Sequence, residues 1–169
     1  RRSPGRRGWP HSTAGRALYQ FYTNGGHIRV LSAKGHTGSP NLNDGLACQY
    51  NTNQVVQSAP AVGPFLARGA MGIVTGTGTY YRGASDTDKI IAINANCKRI
   101  WSAQLNGPSS PSPALADLDG TGALDVVTQS TQGTVYAFNG ATGKLLWHTS
   151  ISRGLGSVTT FQSPTGDFQ

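Results

Sequence analysis

Glutamate is absent from the 169 residues, and lysine occurs only at positions 34, 89, 98 and 144. Helices draw heavily on both residues, so their scarcity argues against a helical protein. Without glutamate an H-E-x-x-H metal site cannot be written. No apolar run reaches the roughly 18 residues of a membrane-spanning helix. A G-x-S-x-G nucleophile elbow is also missing. Cysteine occurs twice, at Cys48 and Cys97, with no C-x-x-C and no Cys/His cluster. That excludes a structural zinc site of ordinary spacing. The pair is either a disulfide, which suits an extracellular chain, or two buried thiols.

Acid is scarce too, and the formal net charge is +7. Five arginines fall within residues 1–16, where no acid occurs, and the rest of the chain carries only +2. Residues 1–16 therefore read as a basic, disordered tail beside a nearly neutral body. Basic tails can bind nucleic acid or anionic lipid, but nucleic acid is not the expected partner here.

Glycine, by contrast, is plentiful at 23 residues, and turn residues punctuate short apolar runs. Those runs repeat. Ser58-Ala-Pro60-Ala-Val-Gly aligns with Ser112-Pro113-Ala-Leu-Ala-Asp, and Gly72-Ile-Val-Thr-Gly with Asp125-Val-Val-Thr-Gln. Ile90-Ile-Ala-Ile-Asn94 aligns with Val135-Tyr-Ala-Phe-Asn139, and Arg99-Ile-Trp101 with Leu145-Leu-Trp147. The first copy carries an eight-residue insertion between Val74 and Ile90. Partial copies flank the pair, one around His27-Ile-Arg-Val-Leu and one opening at Ser157-Val-Thr-Thr-Phe. Four alternating runs per copy, with turns at Asp119-Gly120 and Asn139-Gly140, predict four-stranded antiparallel units of propeller-blade size.

The residues from Ala137 to Trp147 resemble the tryptophan motif of quinoprotein (PQQ-type) propeller repeats. The preceding stretch, Ser112 to Val127, resembles VCBS and FG-GAP-like repeats. This resemblance implies an all-β, β-propeller segment of a larger secreted protein, with about two complete and two partial blades. The expected organisation is a tail at 1–16, a partial blade with its connecting loop at 17–52, blades at 53–108 and 109–153, and the start of another at 154–169. The resemblance implies extracellular or cell-surface placement, and a structural or binding module with a protein or glycan ligand. The remaining blades of the parent are its other partners. The alternative is a fragment of a propeller enzyme, quinoprotein dehydrogenase-like or polysaccharide-active. PQQ itself is not expected, because tryptophan repeats alone do not imply a quinone and no convergent polar site can be named. The motif Gly143-Lys144-Leu145 fails as a phosphate loop. Phe138 stands at the required first glycine, and Leu145 replaces Ser or Thr.

The sharpest chemical signal is Asp117-Leu-Asp119-Gly120-Thr121-Gly122-Ala123-Leu-Asp125. A curled loop of this spacing can aim oxygens at one Ca²⁺, which takes six to eight of them. Asp117, Asp119 and Asp125 would supply carboxylates, and Ala123 a backbone carbonyl. Thr121 stands where the related repeats carry Asp or Asn, which weakens the site. The equivalent loop at 63–72 has no acid and predicts a turn packed by Phe65 instead. Trp101 and Trp147 close their repeats and are expected to wedge between blades. In the insertion, Tyr80, Tyr81 and Arg82 form a candidate binding loop, since loops on rigid scaffolds commonly carry function.

Overall fold

A computed structural model describes residues 16–21, 26–32, 45–153, 156 and 158. The basic tail and the expected further blade at 154–169 lie outside these, apart from Arg16, Gly156 and Val158. The described chain is all-β: eleven strands and one short 3₁₀ turn.

The strands form three antiparallel meanders. The first contains β1 (Arg16–Phe21), β2 (His27–Ser32) and β3 (Leu46–Asn51). The second contains β4 (Ala61–Leu66), β5 (Ala70–Gly76), β6 (Lys89–Asn94) and β7 (Arg99–Gln104). The third contains β8 (Ala114–Ala116), β9 (Asp125–Gln129), β10 (Thr134–Phe138) and β11 (Leu145–Ser150). Sequential four-stranded sheets of this kind are propeller blades. The register repeats as well. In each sheet the pairing of the last two strands shifts once, after Val30↔Cys48, Ala92↔Trp101 and Ala137↔Trp147. Strand β3 is therefore the counterpart of β7 and β11.

The middle sheet is covered on both faces, and its sequence reflects this. Ile73, Ile91 and Ile93 face a core shared with Ile28 and Val30 of the first sheet. Val74, Ile90 and Ala92 face a second core, shared with Val126, Tyr136 and Phe138 of the third. A strand buried on both faces reads as a continuous apolar run, as Ile90-Ile-Ala-Ile does.

Polar side chains complete the junctions. Connectors 57–60 and 109–112 lie side by side. Ser110 Oγ donates to Gln57 Oε1 at 2.8 Å, and the Ala59 amide donates to Ser112 Oγ at 3.2 Å. Ser58 and Ser109 make equivalent buried bonds to Thr75 and Thr128, each 2.9 Å. A disulfide joins Cys48 to Cys97, with Cα atoms 5.9 Å apart, and so links the first sheet to the second.

Candidate functional site

The loop between β8 and β9 gathers Asp117, Asp119 and Asp125, with one carboxylate oxygen from each lying within 4.8 Å of the others. Gly120 and Gly122 sit at φ 71° and 81°, which permits the curl. The Asp117 carboxylate accepts from the amides of Thr121 (3.0 Å) and Gly122 (2.8 Å). Asp119 accepts from the Thr121 hydroxyl at 2.7 Å and from its amide at 3.2 Å. Asp125 is 1% exposed and accepts from the Leu118 amide at 3.2 Å and, longer, from the Gly140 amide at 3.4 Å.

The electrostatics are uneven. Burial lifts the Asp125 carboxyl above the usual aspartate range, and the charges of Asp119 and Asp117 add to this. Bonds from Thr121 hold Asp119 below its ordinary value. A cation would reverse the repulsion felt by Asp125. The donor set fits Ca²⁺: oxygens about 2.3–2.6 Å from one ion stand at most about 5 Å apart, and all three carboxylates meet that limit. Thr121 and Ala123 are exposed in the same loop. The corresponding turn of the second sheet is built differently. Phe65 is fully buried there, and a Cβ on Gly72 would meet its ring at 2.5 Å.

The loop between β5 and β6 spans 77–88, against 130–133 in the third sheet, a difference of eight residues. Tyr80 is 68% exposed at its tip, Arg82 is exposed and Tyr81 half-buried. The two tyrosine rings meet edge to face, with centroids 5.0 Å apart. Buried Gln54 anchors this loop, a role that sequence reading missed. Its Nε2 donates to the Tyr81 carbonyl (2.8 Å) and to Thr87 (3.1 Å), and its Oε1 accepts from the Tyr81 amide (2.9 Å). Nothing in a lone glutamine signals this. At the same end, Asp86 is buried and pairs with Arg99 at 3.0 Å. Burial and the Asp86 charge push the neighbouring Tyr50 phenol up.

Trp101 is wedged between sheets, 8% exposed, and its indole N–H donates to the Gly140 carbonyl at 2.7 Å. Its ring lies against Gly143, where a Cβ would sit 2.6 Å away. Trp147 departs from expectation. It is 44% exposed, with Leu145, Leu146 and Ile151 exposed beside it. Among the described residues no sheet follows β11, and among them the indole meets no counterpart of the turn on which Trp101 rests.

The fold and its junctions define a β-propeller segment. No family model matches the chain, and no curated protein does either. Solved structures do. The quinohemoprotein alcohol dehydrogenase ADHIIG from Pseudomonas putida HK5 is 15% identical, with a TM-score of 0.60 over 93% of this chain and 29% of its own. A europium-containing methanol dehydrogenase is 18% identical, with a TM-score of 0.50 over 80% of this chain and 22% of its own. BamB from Moraxella catarrhalis is 20% identical, with a TM-score of 0.49 over 85% of this chain and 38% of its own. The chain thus spans well under half of each. At these identities the likeness concerns the fold alone. Among the described residues no helix is long and apolar enough to cross a membrane.

Proposed function

We propose that this chain is a non-catalytic propeller module whose third sheet is stiffened by one Ca²⁺ in the β8–β9 loop. The convergence of three carboxylates within 4.8 Å carries the reading. Asp117, Asp119 and Asp125 would hold the ion, with Thr121 and Ala123 as neutral oxygen donors. A bound cation supplies charge neutralisation, which lets the buried Asp125 carboxylate stay ionised. The sequence likeness of this loop to VCBS and FG-GAP-like repeats supports the same assignment. Partner contact falls to the Tyr80–Tyr81–Arg82 loop, where exposed Tyr80 and Arg82 beside half-buried Tyr81 suit a protein or glycan surface. Its anchoring by Gln54 supports that role, because a pre-ordered loop loses less entropy on binding. The disulfide supports an extracytoplasmic setting.

Calorimetric titration of the metal-free chain with Ca²⁺ tests the site. Uptake of one ion is expected with a Kd of roughly 10⁻⁴–10⁻³ M, the weak extracellular range, and Thr121→Asp should tighten it. If Asp119→Ala leaves uptake and thermal stability unchanged, the loop is only a turn.

A further inference from the structure

We propose that the Cys48–Cys97 disulfide is a covalent replacement for the tryptophan dock, and that reducing it unlatches the first sheet from the second. The equivalence rests on register and backbone conformation. Cys48 pairs with Val30 directly before the register shift, as Trp101 pairs with Ala92. The turn it reaches, 95–97, is the counterpart, one residue shorter, of the turn 140–143 that Trp101 reaches. Cys97 at φ 59° corresponds to Gly143 at φ 71°. Each donates its amide to the asparagine opening its turn, Cys97 to Asn94 at 2.9 Å and Gly143 to Asn139 at 2.8 Å. Each asparagine amide in turn donates to the lysine after the left-handed residue, Asn94 to Lys98 and Asn139 to Lys144. Even the third contact corresponds. Cys48 Sγ lies 3.5 Å from the Ala95 carbonyl, and Trp101 donates to the Gly140 carbonyl.

A left-handed residue with a side chain is strained, and glycine is the ordinary choice there. Cys97 occupies that conformation with its sulfur bonded across the junction. An indole at position 48 would have to rest on the Cys97 side chain, where Trp101 rests on bare backbone. The two cysteines therefore work as a matched pair, as do Trp101 and Gly143. One junction depends on redox state and the other does not.

The reaction is balanced by a dithiol. It gives two electrons and two protons to the disulfide, leaving Cys48 and Cys97 as thiols and itself as a cyclic disulfide. Amide hydrogen exchange on the whole chain, with and without dithiothreitol, is the test. Reduction is expected to speed exchange in β2 and β3 by about tenfold or more, while β9 and β10 keep their protection. Cys48→Ala with Cys97→Ala should behave as the reduced chain. Cys48→Trp with Cys97→Gly should regain the protection and become indifferent to dithiothreitol. Protection in β2 and β3 that changes less than about twofold on reduction overturns the proposal. Equal loss in all three sheets also overturns it, because the bridge would then hold the whole chain and not one junction. Should the Trp/Gly chain fail to fold, the unmodified chain with and without reductant still decides.

Discussion

The two inter-sheet junctions solve one packing problem in two ways. Between the second and third sheets, Trp101 fills the gap, lies on Gly143 and satisfies its N–H at Gly140. Between the first and second, a disulfide spans the same place, and Ile28, Val30, Ile73, Ile91 and Ile93 supply the apolar filling. The indole junction stabilises through buried area and one hydrogen bond. The disulfide junction acts mainly by restricting the unfolded chain. Both junctions thus carry a bridging group at the same register position, an indole in one and a disulfide in the other.

Breaking the indole junction should have the largest effect. Trp101→Ala is expected to cost about 3–5 kcal/mol, the range for large aromatic deletions in cores. Denaturant unfolding of the oxidised chain measures it. A loss below about 0.5 kcal/mol, the level of an ordinary exposed site, would mean that the junction is held elsewhere.

Next comes the surface on which the indole lies. A Cβ at Gly143 meets rigid ring atoms at 2.6–2.8 Å, and the residue's φ is 71°. Gly120 shares that φ, yet a Cβ there meets nothing within 4 Å. Gly120→Ala should therefore cost only the backbone penalty, about 1–2 kcal/mol. Gly143→Ala adds the clash, and about 1–3 kcal/mol more is expected from overpacking. Equal losses in the two variants would remove Trp101 from its assigned role.

The two β-turns opening the sheets differ in the same spirit: Phe65 fills one, and three carboxylates share the other. Asp125 separates them through pH. Its folded carboxyl is raised above the ordinary aspartate value, first by burial and then by its acidic neighbours. Its contribution to stability is thus full below the unfolded aspartate value and lost as pH rises through the folded one. Asp119, lowered by Thr121, runs the opposite way, and Asp88, raised by burial, runs with Asp125. Comparison with Asp125→Asn isolates the group. In chelator, the variant should gain in melting midpoint relative to the parent as pH rises past the aspartate range. It should also lose any calcium-induced rise. An unchanged difference across that range would mean that Asp125 is not held against its charge.

Much of this was legible from sequence, for physical reasons. Short apolar runs bounded by turn dipeptides outline the four strands of the third sheet, because turn residues such as Asp119-Gly120 and Asn139-Gly140 leave a local trace in the sequence. The aspartate loop and the eight-residue insertion could be read because both are local. Gln54 could not, since its role arises from hydrogen bonds to residues 27 and 33 positions away. The equivalence of Cys48 to a tryptophan was hidden for a related reason. It lies in register and backbone conformation, and no similarity of side chain announces it. The motif ending at Trp147 predicts a buried indole, but burial belongs to a residue's neighbours as much as to its motif.

That last pair gives the smallest expected effect and the most direct contrast. Trp101 and Trp147 stand at the same register position, opposite Ala92 and Ala137. They differ in what covers them. Apolar burial contributes roughly 25 cal/mol per Å² removed from water, so an indole left 44% exposed has gained only part of that stabilisation. It also rests on no glycine turn among the described residues. Trp147→Ala in this chain should therefore cost about 1–2 kcal/mol, well below the cost of Trp101→Ala. Trp101→Ala serves as the internal control, and acrylamide quenching of each single-tryptophan contribution checks the exposure directly. A cost for Trp147 approaching that for Trp101 would show that the indole is covered in solution. Dilution would then separate a second copy of the chain, whose contribution falls with concentration, from an intramolecular cover, whose contribution does not.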